Sequence, residues 1–403
     1  MSGVRVLIAG ASIAGPALAH WLRRRGAEVT VVERAPGLRP GGQAVDARGV
    51  TREVIRLMGL DDAVRAARTE TAGAHTVDAA GNVLETFSAE DDGGDGYISE
   101  IEILRGDLSQ VLYDDTRDGV EYVFDDRIAE LTQDAGGVDV TFAGGDRRRF
   151  DLVIGADGLH SSVRAMVFGP RERFVRHLGH VLAFYSVPNE FGLDRWLLDY
   201  QEPGRSAMLR PIGDATRAMA MFSFTAAGFD VDHRDIEAQK RLLRERMGDF
   251  GWLTPRILAH LDDTPDFYLD QVAQVVMDRW SSGRVGLIGD AAFSSSPLSG
   301  QGTGLALVGA YLLAGDLAAA DWDPAAGFGR YEERMRSFVE ANQEIGRLHA
   351  RMRGAPGPDT EPAGEPDTEW LTDLVQRAIN GVELPEYAGV PDSGPSVASP
   401  VTR

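Results

Sequence analysis

Cysteine is absent from the 403 residues, and Lys240 is the only lysine among 41 basic residues. Without thiols there is no disulfide, iron–sulfur cluster, cysteine-based metal site or cysteinyl-linked cofactor, and a reducing cytoplasm is the simplest compartment. Positive charge is also in short supply: 41 Lys+Arg face 62 Asp+Glu, for a net charge of −21. That balance argues against nucleic acid or an anionic membrane surface as partner. The eight histidines show no H-x-x-x-H spacing, so no metal site is expected.

Long hydrophobic runs are missing too. Residues 1–22 contain an apolar stretch like a secretory leader, but Gly10, Gly15 and Pro16 interrupt it. Residues 291–315 carry no charge, yet Ser294-Ser-Ser-Pro297 and the following glycines make the first half a polar loop. No membrane span is predicted.

What is present begins at the N-terminus. Val4 to Ala9 is an apolar run suited to a buried parallel strand. Gly10-Ala-Ser12-Ile13-Ala14-Gly15 forms a turn, and Ile13, Ala17, Leu18, Trp21 and Leu22 then recur at helical spacing up to a stop at Gly26. Glu28 to Val32 supplies the next buried strand, ending at Glu33, 23 positions after Gly10. Strand, glycine turn, helix, strand and acid together spell a dinucleotide site. Glycines let a pyrophosphate approach bare N–H groups at the helix start, and Glu33 can accept from both ribose hydroxyls while repelling a 2′-phosphate. FAD or NAD therefore fits better than NADP. Ser12 replaces the middle glycine of G-x-G-x-x-G, where it crowds a phosphate but offers a hydroxyl.

The chain does not continue as repeated βαβ units. A glycine-rich loop spans 36–49, helices are expected near 51–57 and 105–118, and Val83 to Phe87 is a candidate strand. Residues 121–124, 128–132 and 138–142 look like antiparallel strands with a turn at Gly136-Gly137. Asp151 to Gly155 returns to a buried strand. From His177 to Met277 longer alternating strands predict a separate antiparallel sheet, one face of which Phe184, Leu197, Met208, Met219 and Met221 can line as a flat apolar site or simply as core. Arg284 to Gly289 opens a second glycine turn, followed by helices over 303–320 and 324–353 and a short one over 370–379.

Three strand-to-turn sites thus stand out: Gly10 to Gly15, Gly155-Ala-Asp157-Gly158-Leu-His-Ser161-Ser-Val-Arg164, and Gly289-Asp290 through Pro297 to Gly300-Gln301-Gly302. Together they resemble the group A FAD-dependent monooxygenases of the para-hydroxybenzoate hydroxylase fold, which include aromatic and polyketide hydroxylases and tetracycline-inactivating enzymes. The resemblance runs from the N-terminus through the C-terminal helices. It implies an α/β fold, with a Rossmann-like FAD-binding domain of the GR2 type, an inserted antiparallel substrate sheet and C-terminal helices. The FAD-binding parts would be 1–73, 105–176 and 278–353, with an insertion at 74–104, the substrate sheet at 177–277, a linker at 354–367, a helix at 368–385 and a disordered tail at 386–403.

The resemblance also assigns residues. Glu33-Arg34 matches the adenosine end, Arg105 the arginine beside the flavin chain, and Asp290 the ribityl ligand. Gly289, Pro297, Gly300, Gln301, Gly302 and Thr303 would surround the ring. Asp157, Gly158 and Arg164 match the stretch that serves FAD and NAD(P)H; the alternatives are that Asp157 or Ser161 merely caps the next helix, with Arg164 a surface charge, and that Gly289-Asp290, read alone, is another cap. Gly304 stands where many relatives have asparagine. The implied reaction uses NADPH or NADH to reduce FAD, which with O2 forms a flavin hydroperoxide that delivers one oxygen to an aromatic or polyketide-like small molecule.

Among protein groups that could assist, Arg210 is nominated to stabilise a phenolate or enolate, against a plain ion pair with a surface acid, with Tyr185, Phe184, Leu197, Met208, Met219, Met221 and Pro297 as substrate contacts. The protein is expected as a monomer or homodimer. None of the six tryptophans forms Trp-x-Trp, which disfavours a flavin halogenase. A flavin oxidase or dehydrogenase and a non-catalytic flavin-binding protein are the rivals.

Overall fold

The computed structural model describes residues 3–90, 99–213, 216–226, 235–354 and 367–387. Most of the expected linker at 354–367 and tail at 386–403 lies outside them. The first layer is a six-stranded sheet in the order Ser281–Ser282, Val285–Leu287, Leu152–Gly155, Arg5–Ala9, Glu28–Glu33 and Glu121–Phe124. All but the Ser281–Ser282 edge run parallel. The central strands are apolar at consecutive positions because both faces are covered: Val6, Leu7, Ile8, Leu152, Val153 and Ile154 are fully buried. Glu121–Phe124 is therefore not part of the antiparallel group expected from its sequence. It extends the parallel sheet beside Glu28–Glu33, and the antiparallel set is Ile128–Asp134, Gly137–Phe142 and Arg147–Phe150.

Helix Ala14–Arg24 and the long helix Pro324–Met352 flank helix Gly302–Ala319. Every residue from Thr303 to Leu317 is buried, and apart from Thr303 and Asp316, which pairs with Arg334, this helix is apolar around its circumference. It is the one helix among the described residues long and apolar enough to cross a membrane, and here it lies inside the core.

The second layer is a seven-stranded sheet in the order Tyr268–Val275, Val175–Pro188, Arg217–Thr225, Arg205–Ile212, Trp196–Glu202, Gly73–Val77 and Val83–Ser88. Gly73–Val77 was not expected as a strand; it pairs parallel to Trp196–Glu202 and carries the Val83–Ser88 edge. One face of the sheet packs on helices Ile236–Met247 and Thr254–Leu258 through Phe222, Phe224, Leu243, Met247 and Phe250. The opposite face turns toward the first layer.

Close backbone contact fixes the first turn. Gly10 has φ of 111°, and a Cβ on Gly15 would stand 1.9 Å from the Gly10 carbonyl oxygen. Gly15→Ala should therefore lower stability by about 1–3 kcal/mol or more, the cost of forcing atoms into a packed contact. By contrast, Gly329→Ala sits on an exposed helical position with nothing within 4 Å and should be neutral or slightly stabilising. Thermal melts of the two variants followed by circular dichroism check the pair; equal melting temperatures would contradict the contact at Gly10.

Candidate active site

Parallel pairing aligns Ala9, Gly155 and Leu287 in register, so the three glycine turns leave the sheet at its carboxyl edge, side by side. In an open α/β sheet that edge is where ligands bind. Two helices begin there, Ala14–Arg24 and Gly302–Ala319. Among the described helices of ten or more residues, these two alone have neither a side-chain cap nor an acid in the first turn. Their first N–H groups are left for something other than the protein's own side chains.

Glu33 is held by both oxygens: Oε2 accepts from the Ala11 N–H at 2.9 Å and Oε1 from the Ala35 N–H at 2.9 Å. Each oxygen keeps a lone pair for a ribose hydroxyl. Arg34 beside it is exposed. Ser12 has a partner that its sequence did not reveal, since its Oγ accepts from Arg105 Nη1 at 3.0 Å. The serine in place of a glycine thus aims the guanidinium across the first turn. Gly42 makes room for it: with φ of 88°, its Cβ position lies 3.0 Å from Arg105 Nε. Burial lowers the Arg105 pKa, Arg39 adds to the effect, and Tyr268 and Glu33 oppose it.

Asp290, Pro297 and Gly300 are exposed while residues 291–296, 298 and 299 are buried, so these three face an open cleft. The Asp290 carboxyl is ringed by protein and its pKa is raised by that confinement, with a Ser294 hydrogen bond and the Arg164 charge opposing. Gln301 and Thr303 are buried behind it. At Gly304 a Cβ would stand 2.6 Å from Thr51 Oγ1. The Thr51 hydroxyl therefore occupies the space where a side chain at 304 would begin, which accounts for glycine in place of asparagine.

The middle turn is held together by its own hydrogen bonds. Asp157 accepts from the Ser162 N–H at 2.7 Å, the Ser162 hydroxyl at 2.9 Å, the Val163 N–H at 3.2 Å and the Ser161 hydroxyl, while Ser161 Oγ accepts from the Arg164 N–H. The capping alternative is the one realised. Arg164 is 1% exposed and spends Nη1 on Ala291 O at 2.8 Å and Nη2 on Leu159 O at 2.6 Å. It is neither a surface charge nor open to a pyrophosphate; it joins the middle turn to the turn that presents Asp290. Gly158, with φ of 79°, faces open space.

Across the cleft, strand register places Phe184, Met219, Met221, Met208, Arg210 and Leu197 on one face of the second sheet. Tyr185 lies on the other face, which corrects its expected substrate contact. It is fully buried beside Phe222, and its hydroxyl donates to Ile257 O at 3.1 Å. His180 is buried against Ala350 O, and burial lowers its pKa. Phe184 stacks on Tyr268 with ring centroids 4.7 Å apart. Tyr268 donates to Asp270 at 3.1 Å, and Asp270 also meets His160 Nε2 at 2.8 Å, bringing the middle turn against the sheet.

Arg210 is paired, not with a surface acid, but with buried Glu102, Nη2 to Oε2 at 2.5 Å. Glu102 Oε1 also accepts from the Thr69 and Thr71 hydroxyls at 2.5 and 2.8 Å. Burial pushes the Glu102 pKa up, but Arg210 and the two hydroxyls outweigh it and hold the carboxyl below its ordinary value. Glu102 stands opposite Asp46 in the short ladder of Glu102–Leu104 with Ala44–Asp46. Burial raises Asp46 to about 6, against its Arg48 partner at 3.1 Å and helped by Glu102. Arg48 in turn lies 3.6 Å from the Cβ position of Gly300. None of Asp46, Arg48, Glu102, Asp270 or Tyr268 was singled out by sequence.

Comparison with known proteins places the chain in a family. Residues 3–344 match the model of the FAD binding domain family. The chain belongs to the group A FAD-dependent monooxygenases. It is 47% identical over 383 residues to an uncharacterized protein of Mycobacterium tuberculosis, covering 95% of this chain and 99% of that one. It is 37% identical over 389 residues to a flavin-dependent monooxygenase of Legionella longbeachae, covering 95% and 98%. Among solved structures, tetracycline destructase Tet(55) superposes with a TM-score of 0.83 at 38% identity, covering 96% of this chain and 99% of that one.

The cleft fits FAD: two uncapped helix starts, a carboxylate at each end and glycines where side chains would intrude. Asp290→Ala should weaken FAD binding by about 1–3 kcal/mol, roughly 5- to 150-fold in Kd, whereas Met208→Ala across the cleft should leave it near wild type. Flavin fluorescence titration of the apoproteins measures both; equal Kd values would remove Asp290 from the cofactor contacts.

Proposed function

We propose that this monooxygenase takes electrons from NADPH or NADH and inserts one atom of O2 into a multi-ring aromatic or polyketide-like small molecule. The observation that carries the reading is the pairing of two surfaces across one cleft. On one side are the open helix starts and Asp290; on the other is a sheet face on which Phe184, Met208 and Met221 are partly exposed, while Leu197 and Met219 are buried as core. Bound FAD supplies the chemistry, accepting electrons and activating O2. The chain's own residues do the rest.

In this proposal Glu33 and Arg34 hold the adenosine end, Arg105 and the N–H groups after Gly10 hold the phosphates, and Asp290 holds the ribityl chain. The N–H groups of Gly302 and Thr303 face the flavin's electron-rich end. The thioethers and rings of the opposite sheet orient a flat substrate and keep water out, which protects a reactive oxidant from wasteful breakdown. The buried capping network at Asp157 and Arg164 leaves no guanidinium there for the electron donor, so the donor docks from the open side of the cleft. The substrate class also has support from the likeness to proteins named tetracycline destructases.

The purified protein should be yellow and release FAD on denaturation. With an accepted multi-ring phenol or polyketide and NAD(P)H, 18O2 should place one labelled atom in the product, read by mass spectrometry. Met208→Ala and Phe184→Ala should raise KM without altering the flavin spectrum. Label found only in H2O2 or water with every accepted substrate would move the protein to the flavin oxidases.

A further inference from the structure

The substrate face carries a charge arrangement that the apolar reading does not use. Arg210 is its buried guanidinium among the described strands; Arg217, at the strand end, is exposed. Arg210 reaches across to the short ladder of Ala44–Asp46 with Glu102–Leu104 and meets Glu102, with 9% and 5% of the two side chains exposed. The hydroxyls of Thr69 and Thr71 complete the acceptor set of Glu102. Toward Gly300 the next guanidinium, Arg48, is met by Asp46, and on the far flank His160 is met by Asp270. Each of these three basic groups thus has an acid in contact with it, whereas Arg105, bonded to the Ser12 hydroxyl, is the cation assigned above to the phosphates.

A carboxylate ligand entering beside Arg210, Arg48 or His160 gains no uncompensated cation and approaches an acid wherever it approaches one of these bases, at low dielectric where the repulsion is strong. A neutral carbonyl or hydroxyl oxygen meets no such penalty. It can also satisfy Arg210 Nε, which is buried without a protein partner. We propose that Glu102 is a specificity-determining residue: by neutralising Arg210 it makes the site select uncharged, oxygen-bearing ring substrates over ring carboxylates. This rests on the monooxygenase reading above and refines its substrate class.

The test uses the FAD-loaded protein and two ligands with the same bicyclic skeleton, 2-naphthol and 3-hydroxy-2-naphthoate, titrated near neutral pH against the absorbance of the bound flavin. Wild type should bind the neutral ligand about tenfold more tightly or better, the scale expected for one charge in a confined cleft. Glu102→Gln leaves Arg210 uncompensated and should cancel or reverse that preference. Glu102→Leu combined with Arg210→Met removes both charges and should keep the wild-type preference, whereas a purely structural pair would alter stability in these variants without altering the ratio of the two Kd values.

Wild type that binds the anion equally well, a ratio unchanged in Glu102→Gln, or no response to either ligand overturns the assignment. If Glu102→Gln takes up no FAD, Glu102→Leu alone, which also leaves Arg210 uncompensated, decides: an unchanged ratio overturns the assignment and a cancelled or reversed preference supports it. A wild-type protein that takes up no FAD sinks the monooxygenase reading itself, whereas a FAD-loaded protein with the wrong ratio sinks only the role of Glu102.

Discussion

The site depends on the parallel registration of three strands. Arg5–Ala9, Leu152–Gly155 and Val285–Leu287 hydrogen bond side by side and stop together, so turns separated by nearly 280 residues in sequence emerge at one edge. The glycines there serve this packing as well as any ligand. A Cβ on Gly10 would meet Ala156 O at 2.5 Å, and one on Gly155 would meet the Leu287 and Val163 side chains. Arg164 then locks two of the turns by bonding Leu159 and Ala291 carbonyls from within the core. This deeply buried guanidinium donates from Nη1 and Nη2 to backbone oxygens, while its Nε is buried without a partner.

The second sheet is attached to this edge by apolar packing, with Val175, Ala273 and Val275 in the first-layer core and Val272 against Leu298 and Ala350, and by a set of buried polar contacts. Glu102–Arg210 joins one flank and His160–Asp270 the other, while Gln274 and Gln343 tie the end of strand Tyr268–Val275 to Ser294, Ser295 and the long helix. Gly346 allows that helix to lie against the flavin loop, since a Cβ there would stand 2.4 Å from Ser295 O. Buried pairs of this kind add little net stability, because desolvation offsets attraction, but a misdocked sheet would leave charges unpaired at a cost of several kcal/mol. They therefore fix how the sheet sits over the cleft more than how firmly the chain is folded.

What sequence revealed and what it did not follow from the range of the interactions. Strand, glycine turn, helix and Glu33 lie within one local unit, and the Gly289-Asp290 turn repeats that logic, so both were legible. Glu121–Phe124 was assigned to the wrong kind of pairing because four residues carry no sign of strand direction, which here is set by a neighbour about 90 positions earlier. Tyr185 was placed on the wrong face because its strand is apolar on both: Val181, Ala183 and Val187 accompany it, and Leu182 and Phe184 lie opposite. With no alternation to set the register, one residue of slip exchanges the faces. Glu102 was invisible for another reason. Its strand has three residues, and its partner lies 108 positions away.

The two departures from the family pattern share one physical explanation, and it lies outside the local motif in both cases. Ser12 would crowd a phosphate if its side chain were free to point at it. The Arg105 guanidinium engages its oxygen instead, and Gly42 gives that guanidinium its space. At Gly304 the space beside the helix start is already filled by Thr51, a residue of helix Val50–Met58. A motif read along the chain records only which side chain its own backbone supplies. The chemistry of the cleft depends on which atoms occupy the volume, and at both positions a neighbouring element supplies them. Arg105 beside the first glycine turn and Thr51 beside the start of helix Gly302–Ala319 thus fill volume that neither glycine motif's own side chains occupy.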